Sequence, residues 1–408
     1  MSKNNLIAGL DVGSGHIKLL VAKPKEDQSG FEVVCQLKEA SYGVRKGVVV
    51  DSEKVSRTIQ VLLNRAREEI GERITSVFTN IGGSHLYCTP SKGMIAVSRA
   101  DQKVSELDVA RVIDSARTVS LPSNSEIMEV YPKEFTLDNS GGIKNAIGMR
   151  GGRLEVSAMV LAGFAPYVNN LSEAVLACDV QVSDIVPSCL ASADAVLSLK
   201  QKELGTAILD IGFGTSELAV FEEGELSHLA VIPIGSANIT NDIAIGLRTD
   251  VDTAEAIKLA AGTCAFKGKD KKEKVEVEGE ETLMFSRKMV AKIVQARVSE
   301  IFGEVQKEFK KINKQGLLPG GIVITGGGAR IDKIVDLAKK EFKLPCKVGR
   351  PTNFYGLEED LNYTTACGLI SRSAGPVSEM SSHSVPTWTS KGGGISDKFK
   401  KILKIFIP

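Results

Sequence analysis

Leu10-Asp11-Val12-Gly13-Ser14-Gly15 and Leu209-Asp210-Ile211-Gly212-Phe213-Gly214 are two copies of one pattern, 199 positions apart in a chain of 408 residues. In each copy an apolar run (6–10, then 207–209) enters an Asp-x-Gly-x-Gly turn, and a second apolar run (17–22, then 218–221) leaves it. Two apolar runs around a glycine turn predict a β-hairpin with glycines at its tip. Asp-x-Gly is also an ordinary hairpin signal, so either copy alone reads as structural. A repeat at half-chain separation predicts more: two similar lobes that clamp one ligand from both sides.

Such a turn, here called a hook, suits phosphate. Glycine lets the backbone approach an anion closely, so that successive N–H groups converge on phosphate oxygens. Gly13, Gly15, Gly212 and Gly214 supply that backbone, and the hydroxyls of Ser14, Thr215 and Ser216 add donors. Asp11 and Asp210, at the ends of the entering strands, would face the phosphates across a gap suited to hydrated Mg2+, which keeps several waters and takes few carboxylates. Lys18 either joins that site or lies on a solvated strand face, because the second copy carries Glu217 at the matching place. A third element, Gly320-Gly321-Ile322-Val323-Ile324-Thr325-Gly326-Gly327-Gly328-Ala329-Arg330-Ile331, reads as a buried strand running into three glycines, with a helix beginning near Asp332. Bare backbone at Gly326, Gly327 and Gly328 can lie against a flat base or ribose, and a helix N-terminus favours negative charge.

Hook, hook and glycine-rich loop in this order resemble the actin, Hsp70 and sugar-kinase ATPase superfamily. Three further stretches, 80–85 (Asn-Ile-Gly-Gly-Ser-His), 142–151 (Gly-Ile-Lys-Asn-Ala-Ile-Gly-Met-Arg-Gly) and 252–258 (Asp-Thr-Ala-Glu-Ala-Ile-Lys), resemble the FtsA family of bacterial cell-division proteins, and the resemblance spans about residues 5–375. One departure is Phe213, where many relatives carry glycine. The resemblance implies an α/β fold of the actin-like two-lobe ATPase type, with duplicated ribonuclease-H-like lobes and an inserted subdomain in lobe 1. It implies ATP and Mg2+ as ligands, with Gly235, Glu255 and Lys258 joining the nucleotide site. By spacing alone Glu255 and Lys258, at i and i+3 of one helix, are equally a surface ion pair.

Composition sets outer limits. Net charge is +1 with 25% charged residues, so no bulk attraction to nucleic acid is expected. Seven cysteines stand apart without a C-x-x-C pair, and the four histidines are scattered, which reads as reduced, mostly core cysteine without a zinc site. The first residues do not read as a signal peptide, and no apolar run approaches 18 residues, so membrane contact is expected to be peripheral.

The expected division is lobe 1 core at 1–83, 163–203 and 349–375; inserted subdomain at 84–162; lobe 2 core at 204–232 and 300–348; and a lobe 2 insertion at 233–299. Within these, a helix is predicted over 52–70, with Val55, Ile59, Leu62, Leu63 and Ala66 at helical spacing. A strand is predicted over 93–98, a helix over 105–119 opened by a Ser-x-x-Asp cap, and a long helix over 284–312. Residues 267–281 read as a solvated, charge-rich hairpin tip. Arg297 and Glu300 match a stretch where family members dock the C-terminal tail of the tubulin-like GTPase FtsZ; an exposed ion pair explains the spacing equally well.

Residues 376–394 are rich in Ser, Pro, Thr and Gly and read as a flexible linker spanning roughly 24 Å. Over 395–408, a 100° turn per residue puts Ile395, Phe399, Ile402, Leu403 and Phe406 on one side, opposite Lys400, Lys401 and Lys404, the pattern of a helix lying in a membrane interface. Each lysine near an anionic leaflet contributes about 1 kcal/mol, and full burial of each large apolar side chain roughly 1.5–3 kcal/mol. Set against the ordering of the segment, this predicts reversible binding, strengthened when polymerisation presents many tails together. The implied function is an actin-like ATP-binding protein that forms filaments on the cytoplasmic face of the inner membrane at the division septum. It would anchor FtsZ there through anionic lipids and recruit later division proteins through 84–162. A small-molecule kinase of the same fold would have no use for the basic amphipathic tail, and residues 142–151 argue against a pilus-assembly or cell-shape scaffold.

Overall fold

Each hook hairpin starts a sheet, and the two sheets repeat one order. The structure, a computed structural model, describes residues 6–27, 30–266, 272–275, 283–358 and 360–373. In lobe 1, strands Ile7–Val12 and His16–Pro24 form the hook and Phe31–Ala40 extends it, while Ser76–Ile81 and then Gln181–Pro187 add in parallel on the other side. In lobe 2, Thr206–Ile211 and Ser216–Glu222 form the hook, Glu225–Ile232 extends it, and Gly321–Thr325 and Cys346–Val348 add in parallel. Even the register repeats: Asp11 lies opposite Lys18 as Asp210 lies opposite Glu217. The strand Phe354–Tyr355 then closes the far edge of the lobe 1 sheet.

Helix Ser52–Ile70 shows why local sequence and packing agree here. Asp51 accepts the Lys54 N–H at its start, Gly71 ends it in the left-handed region, and the predicted apolar face of Val55, Ile59, Leu62, Leu63 and Ala66 is buried. Elsewhere the helix boundaries move. The helix predicted over 105–119 spans Glu106–Ser115, opened by a Ser105–Asp108 capping box and stopped before Thr118, whose hydroxyl bonds the Ser115 carbonyl. The long helix spans Arg287–Lys311, because Leu283–Ser286 is drawn into pairing with strand Lys272–Val275 and Ser286 becomes the cap. The strand predicted over 93–98 spans Tyr87–Ala96. The glycine loop enters a 3-10 turn, Gly327–Arg330, and the helix follows only at Ile334–Phe342.

Within lobe 1, strands Tyr87–Ala96, Arg153–Phe164, Ser125–Leu137 and Ser140–Ile143 form a separate antiparallel sheet. Helix Glu106–Ser115 packs on it around a core of its own that includes Val112, Phe135, Leu154 and Val156. This unit bridges both lobes, packing two of its strands against Glu225–Ile232 of lobe 2 and making ion pairs to each lobe. Arg372 donates twice to Glu129, at 2.8 Å each, and the Lys144 ammonium lies 2.8 Å from Glu223 at the turn of the lobe 2 hairpin. The last described helix, Thr364–Ser373, crosses helix Ser188–Val196 so closely that a Cβ on Gly368 would sit 1.6 Å from the Ala191 carbonyl oxygen. Among the described residues no helix is long and apolar enough to cross a membrane. The linker 376–394 and the segment 395–408 lie outside the described residues, as does most of 267–281.

Candidate functional site

The two hook tips face and touch each other. A Cβ on Gly15 would lie 2.7 Å from the Phe213 ring and one on Gly214 3.0 Å from Ser14 Oγ. Phe213, the departure from the expected pattern, lays its half-exposed ring over Gly15. The Gly47 N–H donates to Ser14 Oγ at 2.7 Å, fixing the first tip. In the second, the Ser236 and Ala237 N–H groups donate to the carbonyls of Gly212 and Phe213, so helix Ser236–Leu247 starts against the hook with Gly235 pressed on Phe213 and Thr215. Ser216, expected as a phosphate donor, is fully buried and donates to the Ile234 carbonyl, which removes it from the site.

Behind the tips lies a buried acidic cluster. Asp11 accepts from Lys18 Nζ at 2.8 Å and from Asn80 Nδ2 at 2.9 Å, so Lys18 points into the site and not onto a solvated face. Asp210 accepts from Ser192 Oγ at 2.5 Å, and Ser192 in turn contacts Thr365 Oγ1 at 3.1 Å. Glu217 accepts the Cys189 N–H at 3.1 Å. Desolvation, helped by the charge of Asp11, pushes the Asp210 carboxyl up to about 6, and desolvation plus the charge of Asp210 pushes Glu217 up to about 8. Lys18 pairs with Asp11, while Asp210 lies buried without a cation of its own among the described residues, a charge that a divalent cation would offset. Asp11 and Asp210, each with one oxygen bonded to a neutral side chain, are carboxylates of the kind that hold Mg2+ through its water shell.

The glycine loop closes one side of this cluster. Gly326 takes φ +80°, and a Cβ there would lie 2.1 Å from Asp210 Oδ1, so both conformation and contact require glycine. Gly328 packs on Ile211, and Gly327 faces Asn362. On helix Val251–Ala261, Lys258 is buried: it pairs with Glu255 at 2.6 Å and donates to Thr240 Oγ1 at 2.9 Å, while Thr240 donates to Glu255 at 2.5 Å. This pair therefore joins two helices and is not a surface ion pair. Arg297 grips Asp242 with two hydrogen bonds, 2.7 and 2.9 Å, and Glu300 with a third at 2.6 Å; Glu300 is the exposed member. Asn80, Ser188, Ser192 and Asp242 escaped the sequence reading as site partners, although 80–85 and the small-residue helix Ser188–Val196 stood out for other reasons.

If the cluster takes Mg-ATP, as the sequence leads one to expect, replacing Asp210 by alanine weakens Mg-ATP binding by about tenfold or more while leaving the affinity in EDTA nearly unchanged. Titration of a fluorescent ATP analogue measures both, and an unaltered Mg-ATP affinity removes Asp210 from the site.

Comparison with known proteins adds to this geometry. The sequence model of a family described as "Cell division protein FtsA" matches residues 207–368, and one described as "SHS2 domain inserted in FTSA" matches residues 83–162. The chain is 35% identical over 376 residues to the cell division protein FtsA of Pseudomonas aeruginosa, covering 91% of this chain and 89% of that one. Among solved structures it is similar to the PilM-PilN type IV pilus biogenesis complex, with TM-score 0.65 and 15% identity over 91% of this chain and 99% of that chain. It is also similar to MreB5 of Spiroplasma citri bound to ADP, with TM-score 0.53 and 13% identity over 89% and 94%. These likenesses show the fold, an actin-like two-lobe architecture carrying an inserted subdomain in its first lobe.

Proposed function

The chain belongs to the FtsA family of cell-division proteins, and from that premise we propose that it binds Mg-ATP between its hooks and polymerises on the cytoplasmic face of the inner membrane at the septum. There it ties FtsZ filaments to the membrane through its C-terminal amphipathic segment. The observation that carries the nucleotide part is the pair of glycine hooks meeting tip to tip over a buried acidic cluster. The Gly13 and Gly212 N–H groups close their own turns onto the His16 and Thr215 carbonyls, at 3.2 and 2.9 Å, so those two glycines serve close backbone approach and not donation. The amides of Gly15 and Gly214, with Ser14 and Thr215, would take the phosphates, and Gly235, Gly326, Gly327, Gly328, Glu255 and Lys258 would border the nucleoside. Asp11 and Asp210 would hold Mg2+ through water, and the bound ion would neutralise phosphate charge. Lys18 and the hook amides orient and stabilise the same charge from the protein side. Assembly, more than turnover, is the work this arrangement serves.

The partner surfaces rest on exposure and pattern. Ile245, one turn beyond Asp242 on the helix gripped by Arg297, is 77% exposed, and Met289 lies exposed on the adjoining long helix. An amphipathic FtsZ tail would lay its apolar side there and reach Arg297 and Glu300 with its charges. On the inserted subdomain, Met94, Leu107, Ile147 and Met149 stand exposed and would meet neighbouring subunits or later division proteins.

Co-sedimentation with anionic liposomes tests the reading. The full chain with ATP is expected to pellet and to carry FtsZ with it, whereas a chain lacking 395–408 stays in the supernatant. Pelleting that survives the deletion sinks the anchor; pelleting without FtsZ shifts the function to another actin-like scaffold.

A further inference from the structure

The Asp11 carboxylate is held by a side chain from another strand, and the hydrogen-bond pattern leaves that side chain one orientation. Asn80 is the penultimate residue of strand Ser76–Ile81 and is almost fully buried. Its Oδ1 accepts the Val12 N–H at 2.6 Å. Its Nδ2 donates to Asp11 Oδ1 at 2.9 Å and to Ser188 Oγ at 3.0 Å, and Ser188 donates onward to the Ile81 carbonyl at 3.1 Å. Turning the amide over would set its NH2 against a backbone N–H and its oxygen against a carboxylate, so the three neighbours fix the assignment. Each oxygen of Asp11 thus has one partner: Asn80 on Oδ1 and Lys18 on Oδ2. The second hook is served differently, by Ser192 of the connecting helix.

We propose that Asn80 is the positioning residue of the first hook: its amide sets the Asp11 carboxylate in the orientation that receives the hydrated cation of a bound nucleotide. The inference rests on the Mg-nucleotide reading of the hooks. Lys18 alone would not fix the Asp11 carboxylate, since a flexible ammonium follows the carboxylate it pairs with. The planar amide, pinned at Val12 and Ser188, does not follow, and so holds Oδ1 in place.

The test compares the affinity for a fluorescent ATP analogue in Mg2+ with that in EDTA, for the full chain, and records nucleotide-free melting alongside. In the parent protein Mg2+ is expected to tighten binding. Asn80→Leu should shrink this tightening by about tenfold while the EDTA affinity stays within about threefold, the loss expected when a charge-assisted hydrogen bond is removed. Asn80→Ser, which keeps a hydroxyl but shortens the reach, should lose about threefold and serves if the leucine variant does not fold. Asp11→Asn separates the inference from its premise. If Asp11→Asn abolishes the Mg2+ tightening while both Asn80 variants keep it, Asn80 only braces the strand and the proposal falls. If the parent shows no tightening, or Asp11→Asn preserves it, the nucleotide reading of the first hook falls and this proposal with it.

Discussion

Gly368→Ala is expected to cost about 3 kcal/mol or more, a value at the upper end of overpacking effects, and to lower the melting temperature by roughly 5–10 °C. A methyl group 1.6 Å from the Ala191 carbonyl oxygen cannot be absorbed by a rotamer change, because the obstacle is backbone. The helix Thr364–Ser373 must retreat from Ser188–Val196 by more than an ångström. Its first turn would then release Thr364 from Thr325 and Thr365 from Ser192, both now at 3.1 Å, and with Ser192 goes the partner of Asp210. Nucleotide affinity should therefore fall together with stability. Gly303 on the long helix is the internal control, since a Cβ there meets nothing within 4 Å. The same substitution at Gly303 should stabilise by about 0.5–1 kcal/mol. Equal melting temperatures for the two variants would mean that the crossing yields without cost.

Glu217→Gln is expected to remove a large part of the dependence of stability on pH. Burial and the neighbouring Asp210 raise the Glu217 carboxyl from 4.5 to about 8. The folded chain therefore holds a proton there that the unfolded chain has already released, and stability falls as pH rises between 4.5 and about 8. Asp210 adds a smaller fall between 3.8 and about 6. Glutamine keeps an acceptor for the Cys189 N–H and removes the titration. At about 1.4 kcal/mol per unit of pKa displacement, the variant should exceed the parent by a few kcal/mol at pH 8 in EDTA and match it near pH 4.5. Urea melts across this range measure the difference. Parallel stability curves for the two proteins would show that Glu217 is ionised in the folded state throughout.

The parts of the fold legible in the sequence are those governed by neighbours in sequence. The hook hairpins, their matched register and the helix Ser52–Ile70 follow from period-2 and period-3.6 patterns bounded by glycine or a capping residue. The start of the long helix was not legible, because Leu283–Ser286 is claimed by a cross-strand partner that helical spacing cannot reveal. The candidate site divides the same way. Its glycines and the two aspartates announce themselves, whereas Asn80 meets Asp11 across 69 positions and Arg297 meets Asp242 across 55. Glu217 was visible only as an oddity opposite Asp210; its importance is electrostatic and arises from burial, which the sequence does not number.

The inserted subdomain spans the two lobes like a beam, seated on strand Glu225–Ile232 of lobe 2 and pinned by ion pairs to both lobes. Arg372 secures Glu129 at the end of the helix whose first turn touches Thr325 and Ser192, and Lys144 secures Glu223 of the opposite lobe. A rotation of one lobe against the other must strain or release one fastening. If the hooks bind nucleotide as proposed, a protein that loads the beam would change the nucleotide affinity by the same factor by which nucleotide changes its own. On that proposal, a partner seated on the beam would report its presence to the hooks without reaching them.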